Sequence, residues 1–323
     1  MNRSALAPLL PLYAAGVAIK NAAYNHGWLR SRMLTEPVIS VGNLSTGGAG
    51  KTPFVIYLAQ RLQERGINVD VLSRGYGRAK PAAVERVDPE GSATRYGDEP
   101  LLIARSVAAP VYVGARRFDA GLLAEAEARD EERVHVLDDG FQHRQLARAV
   151  DIVLLHANDF SDRLLPMGNL REPLSSLKRA QITVLRRDHF EHAAQVEKLT
   201  GRAPWIVVRW LRVDSLGLRP LAFCGLARPQ EFFRDLRALG VNPAAEIAFP
   251  DHHRYTAADI NQLLDQARAR NADSLITTEK DEVKLPPTMT RSLEQSGKLA
   301  IARLTLSLED EARRIDELIA LLA

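Results

Sequence analysis

Short, almost wholly apolar runs recur along this chain, and the stretches between them carry apolar residues at helical spacing. VISV (38–41), INVDVL (67–72), VYVG (111–114), VHVLDDG (134–140), DIVLLH (151–156) and ITVLRR (182–187) read as strands. Helices are predicted over Phe54–Arg65, stopped by Gly66, and from about Phe118 to Glu131. Runs that do not alternate with polar residues belong to strands covered on both faces, so the pattern predicts an α/β fold with a mostly parallel sheet and helices on both faces.

A second series follows WIVVRWLRV (205–213): strands LAFCGL (221–226), AEIAF (245–249) and SLITT (274–278), with helices near Glu231–Leu239 and Ala257–Arg270. This reads as a smaller α/β domain. The strand-like segments 205–213 and 299–305 flank it, so a two-stranded hinge is expected, with the last helix, Glu309–Leu322, sent back to the first domain. The expected division is an N-terminal helical segment (1–35), a nucleotide-binding core (36–213), the smaller domain (214–298), and the hinge strand with the C-terminal helix (299–323).

The first segment breaks the pattern. From Ser4 to Ile19 no residue is charged, yet the run is too short to span a bilayer and holds Pro8 and Pro11. Tyr24 and Trp28 lie four apart on one helical face, with Lys20, Arg30 and Arg32 nearby to meet anionic headgroups. A helix lying in a membrane interface is expected. Residues 1–35 carry four basic and no acidic side chains against a net charge of +3 for the whole chain, so the remainder is slightly acidic. That argues against a nucleic-acid-binding surface and for a local anionic partner. The single cysteine, Cys224, excludes an internal disulfide.

After the first strand comes GNLSTGGAGKTP (42–53). Strand, glycine-rich turn, Lys-Thr and helix is the order of a phosphate loop: backbone N–H groups converge on phosphate oxygens, the lysine reaches the outer phosphates, and the hydroxyl ligates Mg²⁺. Ser45, Thr46, Gly47, Gly48, Ala49, Gly50, Lys51 and Thr52 are therefore the expected ATP-binding residues. Ser45 stands where the usual pattern has glycine, and Thr46 where partition-type ATPases carry a lysine. VHVLDDG ends a strand in Asp138 and Asp139, which with Thr52 are the expected magnesium site. The loops SRGYGR, GARR, GFQHR and GNLREP fall after strands, and their Arg74, Arg78, Arg116, Arg117, Arg144 and Arg171 are candidate phosphate clamps. YGDEP (96–100) and FPDHHRY (249–255) read, from their residues alone, as a helix start and a polar turn.

Taken in order, GNLSTGGAGKTP, SRGYGR, YGDEP, VLDDGFQHR, GNLREP, FPDHHRY and TTEKDEVKL resemble the tetraacyldisaccharide 4′-kinase family, the lipid A 4′-kinases, from about Val38 to Leu285. The resemblance implies a P-loop kinase-like core and transfer of the γ-phosphate of ATP to the 4′-hydroxyl of a membrane-embedded tetraacylated disaccharide 1-phosphate at the cytoplasmic face of the inner membrane. It implies catalytic roles for Lys51, for Asp98 and for His252, which has His253 beside it. It also implies active-site roles for Arg171 and Glu172, and Gln142 and His143 of the GFQHR loop are further supporting candidates. No obligate protein partner is implied. A partition-type ATPase and a non-catalytic nucleotide-binding scaffold are the competing readings.

Overall fold

The computed structural model describes residues 3–128, 132–214, 216–295 and 297–322, with residues 3–5 described by backbone alone. The side chain of Arg3 and the expected helix end at Glu131 lie outside the described residues.

Among the described residues, twelve strands form one sheet: β1 (Val38–Asn43), β2 (Val69–Ser73), β3 (Glu85–Arg86), β4 (Val111–Val113), β5 (Val134–Asp138), β6 (Val150–Leu155), β7 (Ile182–Arg186), β8 (Trp205–Val213), β9 (Pro220–Cys224), β10 (Ala245–Ala248), β11 (Ser274–Thr278) and β12 (Lys298–Leu308). Their order is β10-β9-β11-β12-β8-β7-β6-β1-β5-β2-β4-β3. All pairings are parallel except β3–β4 and β8–β12.

Alternate residues of these strands feed separate cores on the two faces. Ile39, Val41, Val69, Val71, Val134 and Val136 pack with Phe54, Leu58 and Leu62 of the helix Lys51–Glu64. Val38, Leu72, Tyr112 and Leu137 pack with Ala120 and Ala124 of the helix Arg117–Ala128 on the other side. This two-sided burial is why the sequence runs are apolar throughout instead of alternating.

The sheet is carried from one end of the molecule to the other by β12. Its first residues pair parallel with β11, and from Ala302 onward it pairs antiparallel with β8. The helix Glu311–Ala320 then packs Ile315 and Leu318 against the N-terminal core, and Glu311 accepts from Tyr57 and from Arg61 at 3.3 Å.

The N-terminal helix corrects the expected length. It runs as Leu10–Asn25, through Lys20, so the apolar segment Leu6–Asn25 reaches 20 residues, enough to cross a membrane by length and composition. None of the helix is fully buried. One side of it is nevertheless docked: Tyr13 Oη donates to the Arg171 carbonyl at 3.0 Å, Lys20 to the Gln142 carbonyl at 3.0 Å, and Asn21 to Glu172 at 2.8 Å.

Candidate active site

β1 lies between β5 and β6, and the chain leaves it for β2 on the far side of β5. The carboxyl ends of β1 and β5 therefore flank a point where connections diverge in opposite directions, the place where open α/β sheets bind ligands. Asn43 and the glycine-rich loop come from one strand end, Asp138 and Asp139 from the other. Gly42 lets them approach, since a Cβ there would stand 2.5 Å from the Phe141 Cβ.

The loop itself turns with φ of 85° at Gly47 and 80° at Gly50. No side chain caps the helix that starts at Lys51, so its first N–H groups face a site suited to an anion. Ser45 and Thr52 are buried. Thr46 N–H donates to the Asn169 carbonyl at 2.8 Å, and Ser45 bridges Leu170, so the GNLREP loop braces the glycine-rich one.

Lys51 Nζ donates to Asn43 Oδ1 at 3.0 Å and lies 3.5 Å from Asp139. Arg171 grips Asp139 with both terminal nitrogens, at 3.0 and 2.8 Å, and also reaches Asn43. Burial opposes ionisation of Asp139, but Lys51 and Arg171 outweigh it and hold the carboxyl below its ordinary range. Asp139 sits at φ 50°, a conformation that few residues other than glycine adopt.

Asp138 behaves oppositely. Burial, then Glu99 and Asp139, push it up to about 7, with only Lys51 and the Ser73 hydroxyl at 3.1 Å opposing. Its Oδ1 is buried with no hydrogen-bond partner among the described residues. An orphaned carboxylate oxygen beside a Lys-Thr loop is the donor a divalent cation needs. No cluster of three His, Cys, Asp or Glu ligands exists among the described residues. A phosphate-loop metal does not require one, because a Thr hydroxyl, one carboxylate and phosphate oxygens suffice. The residues fit Mg²⁺.

The other sequence candidates divide. Arg117 is buried, its pKa brought down to about 10 by burial and Arg74 against Asp139 and Asp138. His143 is brought down to about 3, first by burial and then by Arg117 and other cations. Arg117 stands by the aspartates, with Arg74 and His143 beside Arg117. Arg78 does not join them: its buried guanidinium turns back to the carbonyls of Pro81, at 2.6 Å, and Ala83, stapling its own loop. Arg116 is exposed and pairs with Asp119 one helical turn away. Arg144 and Glu172 hold the N-terminal helix, Arg144 through Asn21 and Asn25, Glu172 through Asn21 with Arg179 behind it. Gln142 donates to the Asn43 carbonyl at 3.0 Å.

Asp98 opens the helix Asp98–Ser106 after Gly97, whose φ of 95° is suited to glycine. Its Oδ2 lies 2.8 Å from His252 Nδ1, which comes from the far end of the sheet on a residue at φ 56°. The hydrogen bond that His252 donates to Asp98 raises the His252 pKa against burial, and His252 with Lys280 lowers that of Asp98, again against burial. Lys280 pairs with Glu99 at 3.1 Å and Asp251 at 3.7 Å. His253 points elsewhere, to Asp259 at 3.0 Å, so the histidine that meets Asp98 is His252. Within TTEKD, Thr278 and Asp281 bond to each other, and Lys280 makes this pair with Glu99.

Asn43, Glu99 and Lys280 were not singled out by the sequence. The polar end of an otherwise apolar strand was the available signal for Asn43.

A doubly covered parallel sheet with a glycine-rich loop, a Lys-Thr helix start and a facing strand-end aspartate pair defines a P-loop phosphoryl-transfer protein. The family profile described as tetraacyldisaccharide-1-P 4′-kinase, LpxK, matches residues 2–322. A tetraacyldisaccharide 4′-kinase of Koribacter versatilis is 43% identical, over 98% of each chain, and one of Geobacter metallireducens is 38% identical, over 94% of each. A crystal structure of an LpxK from Aquifex aeolicus in complex with ATP superposes with a TM-score of 0.78 at 32% identity, covering 100% of both chains. The chain belongs to the LpxK family of kinases, which sets aside the partition-type ATPase and scaffold readings.

Proposed function

We propose that this protein transfers the γ-phosphate of ATP to the 4′-hydroxyl of a tetraacylated disaccharide 1-phosphate, working at the cytoplasmic face of the bacterial inner membrane. The observation that carries the reading is the Asp98–His252 pair, 2.8 Å apart and drawn from opposite ends of the sheet. An unactivated sugar hydroxyl is a weak nucleophile, and a carboxylate–imidazole pair within hydrogen-bond reach supplies a proton acceptor with fixed orientation. Lys51 and the loop backbone hold the phosphates, while Arg171 and Arg117 add positive charge at the same strand ends. Thr52 and Asp138, with Asp139 beside them, would hold Mg²⁺. When bound, the ion neutralises charge on the transferring phosphoryl group.

The N-terminal helix supports the membrane side of the reading. Away from its docked face it exposes Leu12 and Ile19, at 70% and 67%, and Trp28 follows at 77%. Anionic inner-membrane lipids would meet Arg30 and Arg32. Because Tyr13 and Asn21 reach the Arg171–Glu172 segment, a helix lying on the bilayer would put the active-site edge beside the lipid.

The test is incubation with γ-labelled ATP and purified tetraacyldisaccharide 1-phosphate, with Lys51→Ala as the control. Label is expected to enter the organic phase as a 4′-phosphate with the wild type only. Label appearing only as inorganic phosphate would refute the reading.

A further inference from the structure

The turn after β9, GLARP (225–229), belongs to the smaller C-terminal unit but lies on the phosphate loop. A Cβ built on Gly47 would meet the Ala227 Cβ at 3.4 Å, and one on Gly48 would meet Arg228 Cγ and Cδ at 3.8 and 3.9 Å. The turn is firmly pinned. Gly225 N–H donates to both oxygens of fully buried Asp281, at 3.0 and 3.1 Å. Asp281 also accepts from the Thr278 hydroxyl at 2.7 Å and the Tyr255 hydroxyl at 3.0 Å.

Arg228 points into a cluster of charges beside Gly48–Gly50. The centre of that cluster is Glu231, in the first turn of the helix Pro229–Ala238. Glu231 is already well supplied: Arg186 donates at 2.7 Å, Arg209 at 3.0 Å, and His156 Nε2 lies at 3.0 Å. Arg186 has Asp188 as a further partner, and Arg209 has Asp235 at 2.8 Å. Arg228 differs. It comes within only 3.7 Å of Glu231, and its Nη1 is buried with no hydrogen-bond partner among the described residues. A buried guanidinium nitrogen short of an acceptor carries an unmet desolvation cost, and an anion beside it would remove that cost.

We propose that Arg228 is a contact to the phosphate chain of ATP, delivered onto the phosphate loop by the C-terminal unit. The assignment rests on the nucleotide reading above and goes beyond it. Phosphates cradled by a glycine-rich loop expose oxygens away from that loop's backbone, and the planar fork of an arginine suits them. Glu231 keeps three other donors when Arg228 turns to a phosphate, so the move leaves no carboxylate stranded. The side chain also ties nucleotide occupancy to closeness of the two ends of the molecule, because the loop and Arg228 come from different ends.

The test is competition of ATP, ADP and adenosine against a fluorescent ATP analogue, using the full chain with Mg²⁺ and its Arg228→Gln and Arg228→Lys variants. Arg228→Gln is expected to weaken ATP and ADP by about tenfold or more, the scale of a lost charge-assisted bond, and to leave adenosine unchanged. Arg228→Lys, which keeps the charge without the fork, is expected to fall between the two, with the nucleotide-free melting temperature of the wild type. Wild-type ATP affinity in both variants overturns the assignment, as does an equal loss for adenosine, which would mark a purely structural role. Failure of the wild type itself to bind ATP would overturn the nucleotide reading and this assignment with it.

Discussion

Asp98 and His252 form a pair whose protonation the structure ties to folding. His252 binds its proton more tightly in the folded chain, so its contribution is complete below the ordinary value of 6.5 and is lost as pH rises through the raised one. Asp98 is the mirror case: its contribution is present above 3.8 and is lost as pH falls through the lowered value. The pair therefore stabilises most in the interval between those two ordinary values. The melting-temperature difference between wild type and Asp98→Asn should be largest there and shrink toward alkaline pH. A difference that ignores pH would mean that no charge is exchanged between the two groups. At this scale the sequence was partly legible. SRGYGR and GARR identified loops near the site, but a motif does not say where a long side chain turns. Arg78 folds back onto its own loop carbonyls and Arg116 pairs with Asp119, while Arg117, the next residue, is buried beside the aspartates. Asn43 touches Lys51, Arg171 and Gln142, yet reads in sequence as an ordinary polar strand end.

Among the elements, the N-terminal helix separates two kinds of contact. Tyr13, Lys20 and Asn21 bind it to the body, and Leu12 and Ile19 face away. Replacing both exposed residues, as in the double variant Leu12→Glu, Ile19→Glu, removes apolar surface without touching the docked side. Binding to vesicles containing anionic lipid should fall by about tenfold or more, since burial of each such side chain is worth about 1.5–3 kcal/mol. ATP affinity should stay at the wild-type level. Vesicle binding equal to that of the parent would show that this face does not meet lipid. The strands were the most readable elements, because burial on both faces leaves a continuous apolar run that no surface helix imitates. The end of the N-terminal helix was less so. Lys20 looks like the close of an apolar segment, but its ammonium reaches the Gln142 carbonyl and the helix continues to Asn25.

Across the whole molecule, two ends of one sheet are joined through β8 and β12 and meet again at the carboxyl edge. Asp98 and Glu99 come from one end, His252, Lys280 and Arg228 from the other, and the phosphate loop lies where they converge. That β8 and β12 would pair could be read from the two strand-like segments flanking the smaller series. That their pairing would leave one unbroken sheet could not, because β12 changes partner at Ala302 within a single apolar run. An acceptor built from both ends assembles only when they are close, which would limit transfer to water. If Asp98 and His252 act as one proton-accepting unit, removing either should cost about as much as removing both. The decisive measurement is kcat for lipid phosphorylation at saturating ATP in Asp98→Ala, His252→Ala and the double variant. Each single variant is expected to lose about 10²-fold or more, the scale of a lost general base, with the double variant no slower than the slower single one. Losses that multiply, or a His252→Ala enzyme with wild-type kcat, would contradict the account.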